Sequence, residues 1–410
     1  MRTLVVAGEY PWPENSGSRL RLATVLRGLS RCGPVDLFSI LPLARADIDP
    51  PDPATGLDRV AHVSFDDRPP VGLDRVAVAV RGMPFEVPRS DGGTSLQALA
   101  RFVHGHYDLV WYFRIRPFVM TGAMVAAPSI LDLDDLEDHK IAARLSIPGS
   151  GTTNLMERLK RAASQRFSAE EIRRWRNLQK ASGEQVEATV VCSELDAGRA
   201  RAGGVPRVEV VPNGYRKVPA PVGRAAVADP PTVLFQGTLR YPPNAEAARF
   251  LVREVAPRLR LLVPGVRIRL VGMTAPAMAA LDDPPAVSLV GQVPDIADEL
   301  SIADLVVVPL RFGSGTRLKV LEAFAQKVPV VSTTLGAEGL GVEDGVHLLL
   351  ADTADELAAA CARLLENGPL RGQLVERAHE LFVERYADDV IVERVETLAR
   401  RVAAEGRSKG

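Results

Sequence analysis

Short, unbroken runs of Val, Leu, Ile and Ala recur along this chain, each followed by a loop and an amphipathic stretch, and that alternation leaves few folds open. Thr3 to Ala7, Val35 to Ile40, Asp108 to Phe113, Ser129 to Leu133, Thr189 to Ser193 and Val208 to Val211 are such runs in the first half. Thr232 to Gln236, Arg267 to Val271, Val287 to Val290, Leu305 to Pro309, Val328 to Ser332 and His347 to Leu350 answer them in the second. A strand without a polar face is covered on both sides, as in a parallel sheet layered between helices. Helical periodicity marks Arg19 to Cys32, Ser95 to His104, residues 155 to 186, Asn244 to Leu261 with Asn244 as its N-cap, Pro294 to Ser301 and Arg317 to Gln326. It returns over Thr353 to Glu366, Leu370 to Tyr386 and Val390 to Ala404. Strand and helix alternate in both halves, which predicts an α/β protein of two Rossmann-like, doubly wound domains.

A chain of 410 residues is long enough for two or three domains. The Pro- and Ala-rich run 217 to 231 reads as a linker, which places one domain at 1–215 and a second at 220–386. The Pro-, Asp- and Gly-rich stretch 44 to 95 reads as loops with weak short elements. A net charge of -1 gives no global field to draw nucleic acid. Cys32, Cys192 and Cys361 are too widely spaced for a zinc site or a disulfide framework, so each reads as a small buried hydrophobe. The apolar stretch Leu4 to Ala7 is too short for a signal peptide, and no segment approaches the length of a membrane span. A cytoplasmic setting is expected, and the many Arg, Ala, Gly and Pro residues suggest a GC-rich bacterial genome.

Chemistry concentrates in Leu305 to Leu340, where a strand runs into a glycine-bearing loop and the loop into a helix. Gly313 and Gly315 let a ligand approach the backbone, and the N–H groups of a helix beginning near Thr316 to Lys319 point back at that loop. Arg317 and Lys319 add positive charge, so the segment suits an anion, most simply a diphosphate. Glu322, one turn after Lys319, is placed to accept hydrogen bonds from a vicinal diol such as ribose. The plainer alternative is a helix surface carrying an i,i+3 Lys–Glu pair beside a tight turn.

Gly313, Gly315, Lys319, Leu321-Glu322-Ala323 and Pro329-Val330-Val331 resemble the donor-binding signature of glycosyltransferase family 4, retaining enzymes of the GT-B fold. Val211-Pro212-Asn213-Gly214, Val233 to Ala247, Leu270 to Gly272 and Val287 to Ile296 extend the resemblance, as do Pro11, Pro13, Gly17 and Arg21. It implies two Rossmann-like domains facing a cleft, with a last helix (about 387–410) packing back on the first. It implies transfer of a sugar from a nucleoside-diphosphate sugar, UDP by family frequency, to an acceptor hydroxyl with retention and without a metal or other cofactor. By position, Glu322 binds the donor ribose, while Gly315, Thr316, Arg317 and Leu318 offer backbone N–H groups to the diphosphate alongside Gly313 and Ser314. Gly17 and Ser18 approach the same phosphates, and Arg240 and Lys319 supply cations. Ser314 stands where many members carry a second glutamate, so the resemblance supplies no carboxylate for the sugar there.

Weaker candidates lie elsewhere. Asp132 to His139 form an acidic cluster at a strand's carboxyl end, where Asp134 or Asp135 can meet an acceptor or take its proton, and the plain alternative is a loop capping the next helix. Arg114 and Arg116 suit an anionic acceptor, and Glu338 follows a strand end close to where the sugar would sit. The basic helix 155 to 186 suits either an acceptor lid or peripheral contact with a membrane surface. The acceptor class stays open between natural product, polysaccharide and lipid. A nucleoside-diphosphate-sugar epimerase, an inverting transferase of the same fold and a non-catalytic nucleotide-sugar-binding protein are the competing readings.

Overall fold

The computed structural model describes residues 1–14, 16–43, 56–66, 82–84, 87, 93–145, 155–218 and 226–407, with backbone alone at 144–145 and 155–166. Residues 44–55, 67–81, 85–86 and 88–92 of the stretch read as loops, part of the linker at 219–225, and the side chains of the first turns of the basic helix lie outside these residues. The chain divides into two compact units, Met1–Asn213 with Ile391–Gly410, and Gly214–Val390.

In the first unit, β1 (Thr3–Ala7), α1 (Gly17–Ser30), β2 (Val35–Pro42), β3 (Arg59–Phe65), α2 (Thr94–Phe102), β4 (Leu109–Phe113) and α3 (Ile115–Thr121) come first. They are followed by β5 (Ser129–Asp134), α4 (Glu137–Leu145), α5 (Leu155–Gly183), β6 (Ala188–Val191), α6 (Glu194–Ala202) and β7 (Val208–Val210). All pairings are parallel, in the order β3-β2-β1-β4-β5-β6-β7. Unbroken apolar runs serve both faces, because successive side chains point to opposite sides. Leu4 and Val6 of β1, with Val110 and Tyr112 of β4, enter one core. Val5 and Ala7, with Leu109, Trp111 and Phe113, enter the other.

In the second unit, β8 (Thr232–Gln236), α7 (Pro242–Phe250), a π-helical stretch Leu251–Val255, α8 (Ala256–Leu262), β9 (Arg267–Val271) and β10 (Val287–Gly291) lead to α9 (Ile296–Ile302). Then come β11 (Leu305–Val308), α10 (Leu318–Ala325), β12 (Val330–Ser332), β13 (Leu349–Leu350), α11 (Ala354–Glu366) and α12 (Gly368–Arg385). This parallel sheet has the order β10-β9-β8-β11-β12-β13 and one continuous core. The last helix, α13 (Asp388–Arg407), sends Ile391, Val395, Leu398, Ala399 and Val402 into the core of the first unit beside Leu22, Val25 and Leu29.

Both sheets reverse direction of winding once, between β1 and β4 and between β8 and β11. In doubly wound sheets the crevice beyond the strands' carboxyl ends at such a switch point is where ligands bind. Asn244 is not an N-cap: Pro242 and Pro243 open α7, and Tyr241 precedes it. Proline suits a first helical turn, which has no partner for its N–H, so the helix starts two residues earlier and frees the Asn244 side chain for another task.

Candidate active site

The β8/β11 switch point of the second unit gathers most of the residues singled out by sequence. From β11 the chain passes through a loop in which Gly313 and Gly315 take φ values of 127° and 87°, conformations that a side chain disfavours. A Cβ on Gly313 would also press on the Pro243 ring at 3.3 Å. Arg317 is buried, and its guanidinium donates to the loop's own carbonyls: Nη1 to Ser314 O (2.7 Å), Nη2 to Gly313 O (3.1 Å) and Nε to Leu335 O (3.2 Å). Its charge stays at the site while its hydrogen bonds hold the loop's shape. The amide of Leu318 is spent on Thr316 O at 3.0 Å. α10 begins without a side-chain cap or an acidic residue in its first turn, so nothing on the helix itself offsets the positive end of its dipole.

α10 buries Val320, Leu321, Ala323, Phe324 and Ala325 in the core and leaves Lys319 and Glu322 half-buried on the opposite stripe. The Lys319 ammonium donates to Asn244 Oδ1 (2.7 Å) and lies 4.7 Å from the centroid of the Phe235 ring. Asn244 is itself fixed by donating from Nδ2 to Thr238 O (3.1 Å). This clamp depends on Gly237, at φ 147°: a Cβ there would fall 2.8 Å from Asn244 Nδ2 and 3.1 Å from Lys319 Nζ. Burial, then repulsion from Arg317, pull the Lys319 pKa down to about 7, against the attraction of Glu322.

Glu322 accepts from Gln236 Nε2 through Oε2 at 3.0 Å. Burial raises its pKa, and Gln236 and Lys319 oppose the rise. Tyr215 is buried nearby, and Arg216 is bonded to Asp295. Arg240 is exposed in the β8–α7 loop with Nε tied to Thr274 O at 2.8 Å. Glu338 is half-buried and ends the 3-10 turn Leu335–Ala337 after β12. Gln236 and Asn244 are the residues that sequence reading did not place here. The sequence reads the first as a strand terminus and the second as a cap, and a polar residue ending an otherwise apolar run is the signal available for Gln236.

In the first unit, α1 opens at Gly17 and Ser18, both half-buried, with no acidic residue in its first turn and no side-chain cap from Ser16. The carboxyl ends of β4 and β5 carry two left-handed residues, Arg114 (φ 71°) and Asp134 (φ 59°), a strained conformation for both. Arg114 Nη2 donates to Asp134 Oδ2 at 2.9 Å. Burial works against ionisation of Asp134, but Arg114, Arg21 and Lys140 together hold its pKa below the usual carboxylate range. Burial, resisted by Lys140 at 3.3 Å and aided by Asp134, raises that of Asp135. Arg21, fully enclosed, spends its N–H groups on Asp132 (2.8 to 3.1 Å), Val211 O (2.9 Å) and Asn213 Oδ1 (2.8 Å), tying α1 to β5 and to the Val211–Asn213 turn. Among the described residues, no three His, Cys, Asp or Glu side chains are disposed to hold a metal, and no helix is long and apolar enough to cross a membrane.

Two parallel doubly wound sheets of seven and six strands, each with charged and glycine-bearing loops at its switch point, define the GT-B fold. Residues 230–367, within the second unit, match the family described as Glycosyl transferases group 1. Sucrose-phosphate synthase from Thermosynechococcus elongatus shares this fold, with a TM-score of 0.71 at 16% identity over 99% of this chain and 100% of that one. So does the pneumococcal O-GlcNAc transferase GtfA in complex with UDP and GlcNAc, with a TM-score of 0.67 at 11% identity over 98% and 99%. Anabaena HepE, in complex with UDP and glucose, gives 0.63 at 16% identity over 96% and 98%. Among curated proteins, an exopolysaccharide phosphotransferase of Streptomyces coelicolor is 32% identical over 146 residues, which cover 33% of this chain and 15% of that protein.

Proposed function

We propose that this chain transfers a sugar from a nucleoside-diphosphate sugar, with UDP as the nucleotide, to an acceptor hydroxyl with retention of configuration. One observation carries the proposal: at the β8/β11 switch point, an uncapped helix N-terminus, two glycines and the clamped Lys319 meet within one turn of a half-buried carboxylate. The first set suits the phosphates and Glu322 suits the ribose. The HepE and GtfA structures are both complexes with UDP, which supports the choice of nucleotide.

Charge develops on the diphosphate as the glycosidic bond breaks. In this reading Lys319, Arg240 and the start of α10 stabilise that charge without a metal, an electrostatic contribution that requires preorganised donors. Arg317 supplies the preorganisation by locking the loop. On the acceptor side, Asp135 is better suited than Asp134 to take a proton, since a useful base has a pKa closer to neutrality. Arg114 is then the partner that holds Asp134 ionised beside it. Three buried, unpaired cysteines suit a reducing cytoplasm.

Release of the nucleoside diphosphate, UDP from UDP-glucose and UDP-N-acetylglucosamine or GDP from GDP-mannose, with a panel of hydroxyl acceptors tests the proposal. Turnover with one donor, reduced about a hundredfold or more in Glu322→Ala and Lys319→Ala, is the expected outcome. Unchanged turnover in both variants would remove the proposed grip, and an inverted anomer in the product would remove retention alone.

A further inference from the structure

Gln236 is the last residue of β8, 3% exposed, and its amide presents a problem of hydrogen-bond accounting. Nε2 has two acceptors beside it, Glu322 Oε2 at 3.0 Å and Lys319 O at 3.4 Å. An amide can be turned end for end only if its neighbours permit it. Here a turned amide would set its oxygen against a carboxylate and a carbonyl, so the orientation is fixed by Glu322. Oε1 is then left facing elsewhere, and among the described residues it accepts no hydrogen bond. A buried polar atom without a partner is costly and rare, and one that shares its amide with the partner of Glu322 lies within the candidate site.

A carboxylate and an amide oxygen are both acceptors, and the ligand that satisfies both must bring two donors. The spacing is short, because one amide joins the two positions. A vicinal diol is such a ligand, and it is the group already assigned to Glu322. We propose that Gln236 is a ligand-binding residue: its Oε1 accepts from one ribose hydroxyl while Glu322 accepts from the other, so the pair selects ribonucleoside diphosphates over 2′-deoxyribonucleoside diphosphates. The inference rests on the nucleotide-sugar reading above and goes beyond it by assigning a second residue and the class of nucleotide. Gln236 has two roles here: its nitrogen aligns the carboxylate and its oxygen reads the sugar.

Titration of UDP, 2′-deoxy-UDP and 3′-deoxy-UDP into the full chain, Gln236→Met and Gln236→Glu separates the two roles. The Glu variant keeps an oxygen in the place of Oε1 and loses the donor to Glu322, and the melting temperature of each unliganded variant checks that it folds. Wild type is expected to bind UDP about tenfold or more tightly than either deoxy analogue. Gln236→Met is expected to lose about tenfold for UDP and nothing for one of the two analogues, and Gln236→Glu to retain the discrimination. Equal losses for all three ligands in Gln236→Met, or equal losses for UDP in both variants, would show that Gln236 acts only through Glu322, or that a water fills the place of the hydroxyl. Either result would overturn the inference and leave the nucleotide-sugar reading standing. Failure of the wild-type chain to bind UDP, GDP or ADP at all would instead remove that parent reading and the inference with it.

Discussion

Lys319 is where residue-scale chemistry becomes measurable. A pKa lowered to about 7 by burial means that near neutrality the empty site holds the lysine partly uncharged. A bound diphosphate stabilises the ammonium and draws the pKa back up, so binding takes up a proton. The sign follows: affinity for UDP is highest below about pH 7 and weakens as pH rises through it, by at most tenfold per pH unit. The nucleotide's own last ionisation, near pH 6, is essentially complete by pH 8, so it adds nothing to proton uptake measured there. Calorimetry in buffers of different ionisation enthalpy is expected to show proton uptake at pH 8 in the wild-type chain and none in Lys319→Met. Equal uptake in both would place the titrating group elsewhere. The charge of this lysine was legible in the sequence, and so was its place on the helix beside Glu322. Its clamp was not, because Asn244 and Lys319 are 75 residues apart and meet only when α7 packs beside α10. The turn of the Arg317 guanidinium back onto the carbonyls of Ser314 and Gly313 was hidden for a different reason: the partners are only three and four residues away, but a sequence does not show which way a loop arginine points.

At the scale of elements, the buried strands were the easiest to read. β1, β8 and β9 fall on the residues expected, since an unbroken apolar run between polar loops has few other uses. β3 lies inside a stretch read as loops with weak short elements, and its bounds were not legible there. It lies at the edge of its sheet and is only partly covered, so His62 and Ser64 interrupt its apolar run. Seven to nine residues give only weak periodicity, enough to mark α2, α9 and α10 but not α3, α4 and α6. Packing between elements also sets the sign of glycine substitutions. A Cβ on Gly28 of α1 would fall 2.7 Å from Val395 Cβ of α13 and 2.9 Å from Val392 O, where a backbone atom cannot swing away. Overpacking costs about 1–3 kcal/mol and outweighs the helix-propensity gain of under about 1 kcal/mol. Gly372 of α12 meets nothing within 4 Å, so only the gain remains. Thermal melts are expected to show Gly28→Val destabilised by about 2 kcal/mol and Gly372→Ala stabilised by up to about 1 kcal/mol. A neutral Gly28→Val would mean that α13 does not pack against α1 as described.

For the whole molecule, two sheets of one topology carry different charge patterns at corresponding switch points. The second unit places cations, glycines and one carboxylate around the start of a helix. The first places two strained residues and a balanced network of arginines and aspartates at its strand ends. This division was legible from the Leu305–Leu340 segment for the second unit, because that segment's glycines, cations and carboxylate are nearly contiguous. It was much less so for the first, whose network joins residues up to 192 positions apart, and for Gln236 and Asn244 of the second, 86 and 75 positions from their partners. The account stands on where a nucleotide settles in the second unit, and a crystal structure of the chain with UDP measures that directly. The diphosphate is expected over the 313–316 loop and the start of α10, within hydrogen-bonding reach of Lys319, with the ribose hydroxyls on Glu322. UDP bound with its phosphates away from that loop, or with Glu322 contacting only protein, would contradict it.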